Sequence, residues 1–101
     1  MTLDQLIEIL KNNRKILMEE YRVQSLRIFG SYAMNQQTED SDIDFLVDFT
    51  PGTKDIFEAK FRLRKYLQSL LNKEIDLARS EYLKPYVRNE IEAQARYAIQ
   101  G

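Results

Sequence analysis

Three short stretches of this 101-residue chain carry side chains able to do chemistry: Gly30-Ser31, Asp42-Ile43-Asp44 and Glu74-Ile75-Asp76-Leu77. Side chains of an extended strand alternate faces, so Asp42 and Asp44 project together while Ile43, Phe45 and Val47 point the other way. Two carboxylates at the mouth of one strand are costly unless a positive charge sits between them, most simply a divalent cation. The competing reading is a pair of solvated strand-end acids. Gly30 lets an anion approach the backbone and Ser31 offers a hydroxyl, at the amino end of a short helix that suits phosphate. A turn followed by a helix cap uses the same two residues. Asp76 is either a strand-end residue in water or a third carboxylate aimed at the same place.

The flanking sequence supplies the elements that must hold these groups. Thr2 and Gln5 have capping-box spacing, and Leu3, Leu6, Ile7, Leu10, Ile16 and Leu17 continue one stripe, which predicts a helix over 3–20. A strand is predicted over 23–29 and ends at Gly30, with a short helix over 32–36. A second strand over 42–49 stops at Pro51-Gly52. Ile56, Ala59, Leu63, Leu67, Leu70 and Leu71 mark a long helix, and Phe57 and Phe61 are assigned to the core rather than to a protein contact. A third strand is expected over 73–78. Pro85 opens a last helix with Val87, Ile91, Ala95 and Ala98 on its stripe. The order α-β-α-β-α-β-α gives one α/β domain over 1–101, a small mixed three-stranded sheet flanked by about four helices. The crossover between residues 42 and 78 permits parallel pairing.

Composition narrows the chemistry. The chain has no Cys and no His, which removes disulfides, Cys or His zinc sites, thiol nucleophiles and Ser-His-Asp arrangements. Reactions must run on carboxylates, hydroxyls, Lys, Arg and a hard cation such as Mg²⁺. A net charge of −1 argues against direct nucleic-acid binding by bulk charge, and the clusters Lys11-Arg14-Lys15 and Arg62-Arg64-Lys65 are read as solvated helix faces. No apolar run reaches membrane-spanning length and no signal-peptide core is present, so a cytoplasmic location is expected. Asp48 is taken as structural or solvent-facing, Arg27 equally as a surface residue or a phosphate partner, and Tyr32 as packing.

Gly30-Ser31, ten intervening residues and Asp42-x-Asp44 in a hydrophobic strand resemble the signature of the DNA polymerase beta-like nucleotidyltransferases. The small size and the later Glu-Ile-Asp-Leu are similar to the minimal nucleotidyltransferase (MNT) branch. Many of its members are antitoxins paired with a HEPN-domain ribonuclease toxin. The resemblance implies the nucleotidyltransferase fold and transfer of AMP from ATP onto a tyrosine hydroxyl of that toxin. It implies that Gly30 and Ser31 hold the triphosphate, and that Asp42, Asp44 and Asp76 are catalytic and ligate two Mg²⁺ ions. Met34 stands where the family often carries Arg, and Met can neither donate hydrogen bonds nor offset phosphate charge. Two other readings stay open: a binding antitoxin that masks its partner, and a nucleotidyltransferase acting on a small hydroxylated molecule. A homo-oligomer is also left open.

Overall fold

A computed structural model describes residues 1–101. Helix α1 (Leu3–Asn12) begins with the expected capping box: Gln5 N–H donates to Thr2 Oγ1 at 3.1 Å, and Thr2 N–H to Gln5 Oε1 at 2.9 Å. The predicted helix over 3–20 is broken at Asn13, and α2 (Arg14–Glu19) follows as a separate piece. Asn13 offers the backbone an alternative to the helix. Its amide donates to the Ile9 carbonyl at 2.8 Å, and its Oδ1 accepts from the Tyr66 hydroxyl at 3.0 Å.

Strands β1 (Val23–Phe29) and β2 (Ile43–Phe49) pair antiparallel, joined through the single turn α3 (Gly30–Ala33) and a loop. Helix α4 (Ile56–Leu71) crosses over to β3 (Ile75–Arg79), which lies parallel to β2. Asp55 caps the start of α4 by accepting from Glu58 N–H, and Asn72 ends it in the left-handed conformation, φ 53°. A 3₁₀ turn (Ser80–Tyr82) and α5 (Pro85–Gln94) complete the helical part.

The predicted last helix does not reach Ala98. It stops at Gln94, Ala95 is extended, and β4 (Arg96–Gln100) joins the sheet antiparallel to β1. The sheet therefore has four strands, in the order β3-β2-β1-β4, rather than three. The reason is burial: as strand residues Ala98 and Ile99 enter the core, whereas α5 itself buries no residue.

One face of the sheet packs on α1, α2 and α4 through Leu26, Ile28, Ile43, Phe45 and Val47 against Leu6, Leu10, Leu17, Leu63 and Leu67. Tyr32 joins this core as expected, but Phe57 and Phe61 do not; they are 86% and 53% exposed. Core residues Leu63, Leu67 and Leu71 use a different face of α4. The opposite sheet face carries Asp44, Leu46 and Asp48, and α5 reaches it through Arg27 and Glu92. No helix is long and apolar enough to cross a membrane.

Candidate active site

The candidate site forms where β1 ends beside the start of β2. Phe29 is the register partner of Asp44, so Gly30 turns away directly beside that carboxylate. Its φ of +70° lies in the left-handed region, and a Cβ there would stand 3.1 Å from Asp44 Cγ and overlap Oδ2. Glycine is thus demanded twice, by the turn and by its neighbour. The loop into β2 is shaped by a tight turn in which Thr38 N–H donates to Ser41 Oγ at 2.8 Å. That turn delivers Asp42, exposed, to the strand's mouth. Ser31 is half-buried in the first turn of α3.

The parallel pairing of β2 with β3 puts Asp44 opposite Asp76, while Ile43/Ile75 and Phe45/Leu77 face the core. Strand backbones lie about 4.8 Å apart, so the two carboxylates stand side by side on the outer face. Asp76, which alternation alone left between two readings, is therefore a neighbour of Asp44. Burial pushes the Asp44 carboxyl up to about 6; the negative charges of Asp76 and Asp42, and a hydrogen bond with Asp76, add to the shift.

A divalent cation suits Asp42, Asp44 and Asp76 by the chemistry of their donors, since carboxylates offer only oxygens. The carboxylates do not enclose a cation by themselves; no three of them are arranged as a ready ligand set. They share one electrostatic neighbourhood, and phosphate oxygens would have to complete any ligand shell.

Further along the same face lies a polar network that sequence reasoning placed only in part. Asp48 accepts from Ser25 Oγ at 2.7 Å and, very closely, from Ser80 Oγ. Arg27 is buried, 3.7 Å from both Asp48 and Glu92, with its guanidinium 5.4 Å from the Tyr97 ring centre. It is therefore neither a surface residue nor aimed at the Gly30-Ser31 turn, whereas the structural reading of Asp48 holds. Strand alternation could have signalled the pairing, because Ser25 and Arg27 share a face opposite Asp48 and Leu46. Met34 is exposed beside Ala33, in a cleft that Asp4 and Arg96 also line. A second cleft, of about 390 Å³, brings Lys60 and Arg64 of α4 beside Asp42, Glu74 and Asp76. Sequence alone reads Arg64 as part of a solvated helix face and does not single out Lys60; only the tertiary fold brings them here.

Comparison with known proteins gives the family of this fold. The sequence profile of the nucleotidyltransferase domain matches residues 4–98. A candidate protein adenylyltransferase of Methanocaldococcus jannaschii is 44% identical over 99 residues, covering 95% of this chain and 97% of its own. The protein adenylyltransferase MntA of Thermococcus cleftensis is 33% identical over 99 residues, covering 96% of each chain. Among solved structures, a candidate minimal nucleotidyltransferase superposes with a TM-score of 0.74 at 30% identity, covering 95% of both chains. A chain in the Shewanella oneidensis complex of tri-AMPylated HEPN toxin with MNT antitoxin shares the fold (TM-score 0.63, 21% identity, 94% of this chain and 73% of that one). With the Gly30-Ser31 turn abutting Asp44, and relatives matching almost end to end, this chain belongs to the nucleotidyltransferase-domain family, in its minimal, protein-adenylyltransferase branch.

Proposed function

We propose that this chain is the antitoxin of a HEPN/MNT pair, a single nucleotidyltransferase domain acting in the cytoplasm on its partner toxin. It moves AMP from ATP onto a tyrosine hydroxyl of the HEPN ribonuclease and so silences it. The observation that carries the reading is the packing of Gly30 against Asp44 with Asp76 alongside, a phosphate-compatible turn touching paired carboxylates. The names of the relatives support the partner and the transferred group.

In this reading the tyrosine oxygen attacks the α-phosphorus of ATP. The new O–P bond forms as the α–β bridging bond breaks, and pyrophosphate leaves. Gly30 and Ser31 hold the triphosphate through backbone N–H groups and the Ser31 hydroxyl. Asp42, Asp44 and Asp76 would hold Mg²⁺, which supplies charge neutralisation at the phosphates and at the attacking oxygen. A tyrosine hydroxyl ordinarily loses its proton near pH 10, so it needs a base, and Asp76 Oδ on the exposed edge strand is the candidate.

The test is incubation of the chain with a purified HEPN partner, Mg²⁺ and ATP labelled at the α-phosphate. Label on a partner tyrosine that disappears with Asp44→Asn is the expected result. Equal labelling by wild type and Asp44→Asn would sink the proposal. Exposed Met34, in place of the family's usual Arg, favours one second reading, silencing by masking alone. Neutralisation that survives Asp44→Asn with no label transferred would establish it.

A further inference from the structure

The outer face of α4 is not used by the core. Phe57, Lys60, Phe61 and Arg64 recur at intervals of three and four, so they form one ridge. Phe57 and Phe61 are bare to solvent, and Lys65 Nζ stands 5.6 Å from the Phe61 ring centre. Neither Lys60 nor Arg64 makes an ion pair; the protein's three ion pairs join Arg27 to Asp48, Arg27 to Glu92 and Arg79 to Glu81. Arg64 is nonetheless fixed in place, because its Nε donates to the Ile75 carbonyl at 3.2 Å. Its terminal nitrogens remain available beside Asp76.

We propose that this ridge is where the acceptor polypeptide docks. It selects a segment with a carboxylate and an apolar side chain close to the hydroxyl to be modified. The inference rests on the proposed transferase reading and deepens it. In-line displacement requires the attacking oxygen to arrive opposite the leaving pyrophosphate. The triphosphate seat is at the end of β1, and Asp76 lies beyond Asp44 on the edge strand β3, two strands from that seat. The acceptor therefore enters over the β3 edge, and that edge is bordered by the cleft Lys60 and Arg64 share with Asp42 and Asp76. Two exposed rings and two unpaired cations complement an acidic, partly apolar peptide. A nucleic-acid backbone binds through bulk positive charge, which a chain of net charge −1 lacks, whereas a peptide with one or two carboxylates needs only the local pair Lys60 and Arg64.

Two fluorescent tyrosine peptides of equal length, one with glutamates flanking the tyrosine and one with lysines, both carrying outer leucines, provide the test. Anisotropy at low salt should show the acidic peptide bound about tenfold more tightly, the order expected of two exposed charge contacts. Lys60→Glu with Arg64→Glu should reverse the preference, and Lys60→Gln with Arg64→Gln should abolish it. Phe57→Ser with Phe61→Ser should weaken both peptides severalfold at unchanged melting temperature. No preference in the wild type, or a preference that survives charge reversal, would overturn the proposal. So would a dimer in light scattering that Phe57→Ser dissolves, or an RNA oligonucleotide that outcompetes the acidic peptide. Labelled ATP separates this result from the enzyme reading. Peptides bound as expected without label defeat the transferase and leave the ridge standing. Label transferred with equal kcat/KM to both peptides defeats the ridge and leaves the transferase.

Discussion

Gly30 and Asp44 constrain each other, and each can be tested alone. A methyl at position 30 meets both a left-handed backbone and the Asp44 carboxylate. Gly30→Ala should cost about 1–2 kcal/mol from the backbone alone and more from the overlap. Urea denaturation reads that loss, and AMP transfer should fall at least as steeply, because relief requires Asp44 to move. Asp44 itself is held above its ordinary 3.8, at about 6, by burial and then by Asp76 and Asp42. Between those values the folded chain binds more protons than the unfolded chain, so this group's contribution to stability falls as pH rises from 4 through 6. Asp44→Asn removes the penalty. Without metal it should raise Tm at pH 7 but scarcely at pH 4. After allowance for solvent screening the gain is about 1 kcal/mol, or about 4–8 °C for a domain of this size. If Asp44→Asn instead melts lower than wild type at pH 7, the carboxylate is structural.

At the scale of elements, α5 owes its place to polar contacts. It buries no side chain, and it is tied down by Arg27 to Glu92 and by Arg88, which donates to the Ser80 carbonyl at 2.9 Å. Asp48→Ala should therefore be more damaging than an ordinary surface change. It leaves the buried Arg27 with Glu92 alone and strips Ser25 and Ser80 of their acceptor, at about 1–3 kcal/mol. Thermal unfolding measures the loss, and proteolysis within 85–94 should quicken. The strands that frame the site were legible because alternation and punctuation agreed: β1 matches its predicted range, β2 differs by one residue, and β3 starts two residues and ends one residue later than predicted. What was not legible depended on contacts distant in sequence. Ala95 and Ala98 fit a helical stripe, and only pairing with β1 makes Arg96–Gln100 a strand. Asn13 breaks the first helix by reaching Tyr66, 53 residues away. Phe57 and Phe61 matched a helical period equally well on either side of α4, and period alone does not say which side is buried. The Asp42/Asp44 pair could be read from alternation, but the neighbour relation of Asp44 and Asp76 needed the parallel register of two separate strands.

For the whole molecule, the candidate site draws on β1, α3, β2 and β3, so ligand binding there should be felt globally. Mg²⁺ with ATP at 100 times its dissociation constant should stabilise the fold by about 2.7 kcal/mol. Calorimetry should show this increment in wild type and its loss in Asp42→Asn. Failure of Mg²⁺-ATP to shift the wild-type transition would mean the site does not bind nucleotide in the folded state. The sheet's two rims add a constraint on how anything larger attaches. Beside β3, the Ile75 carbonyl is occupied by Arg64, and on β4 the Gln100 carbonyl accepts from Arg14 at 3.2 Å. A guanidinium at each border blunts both margins against recruiting an extra strand, so fibril-like self-templating is discouraged and a visiting chain must be recognised by its side chains rather than by its backbone.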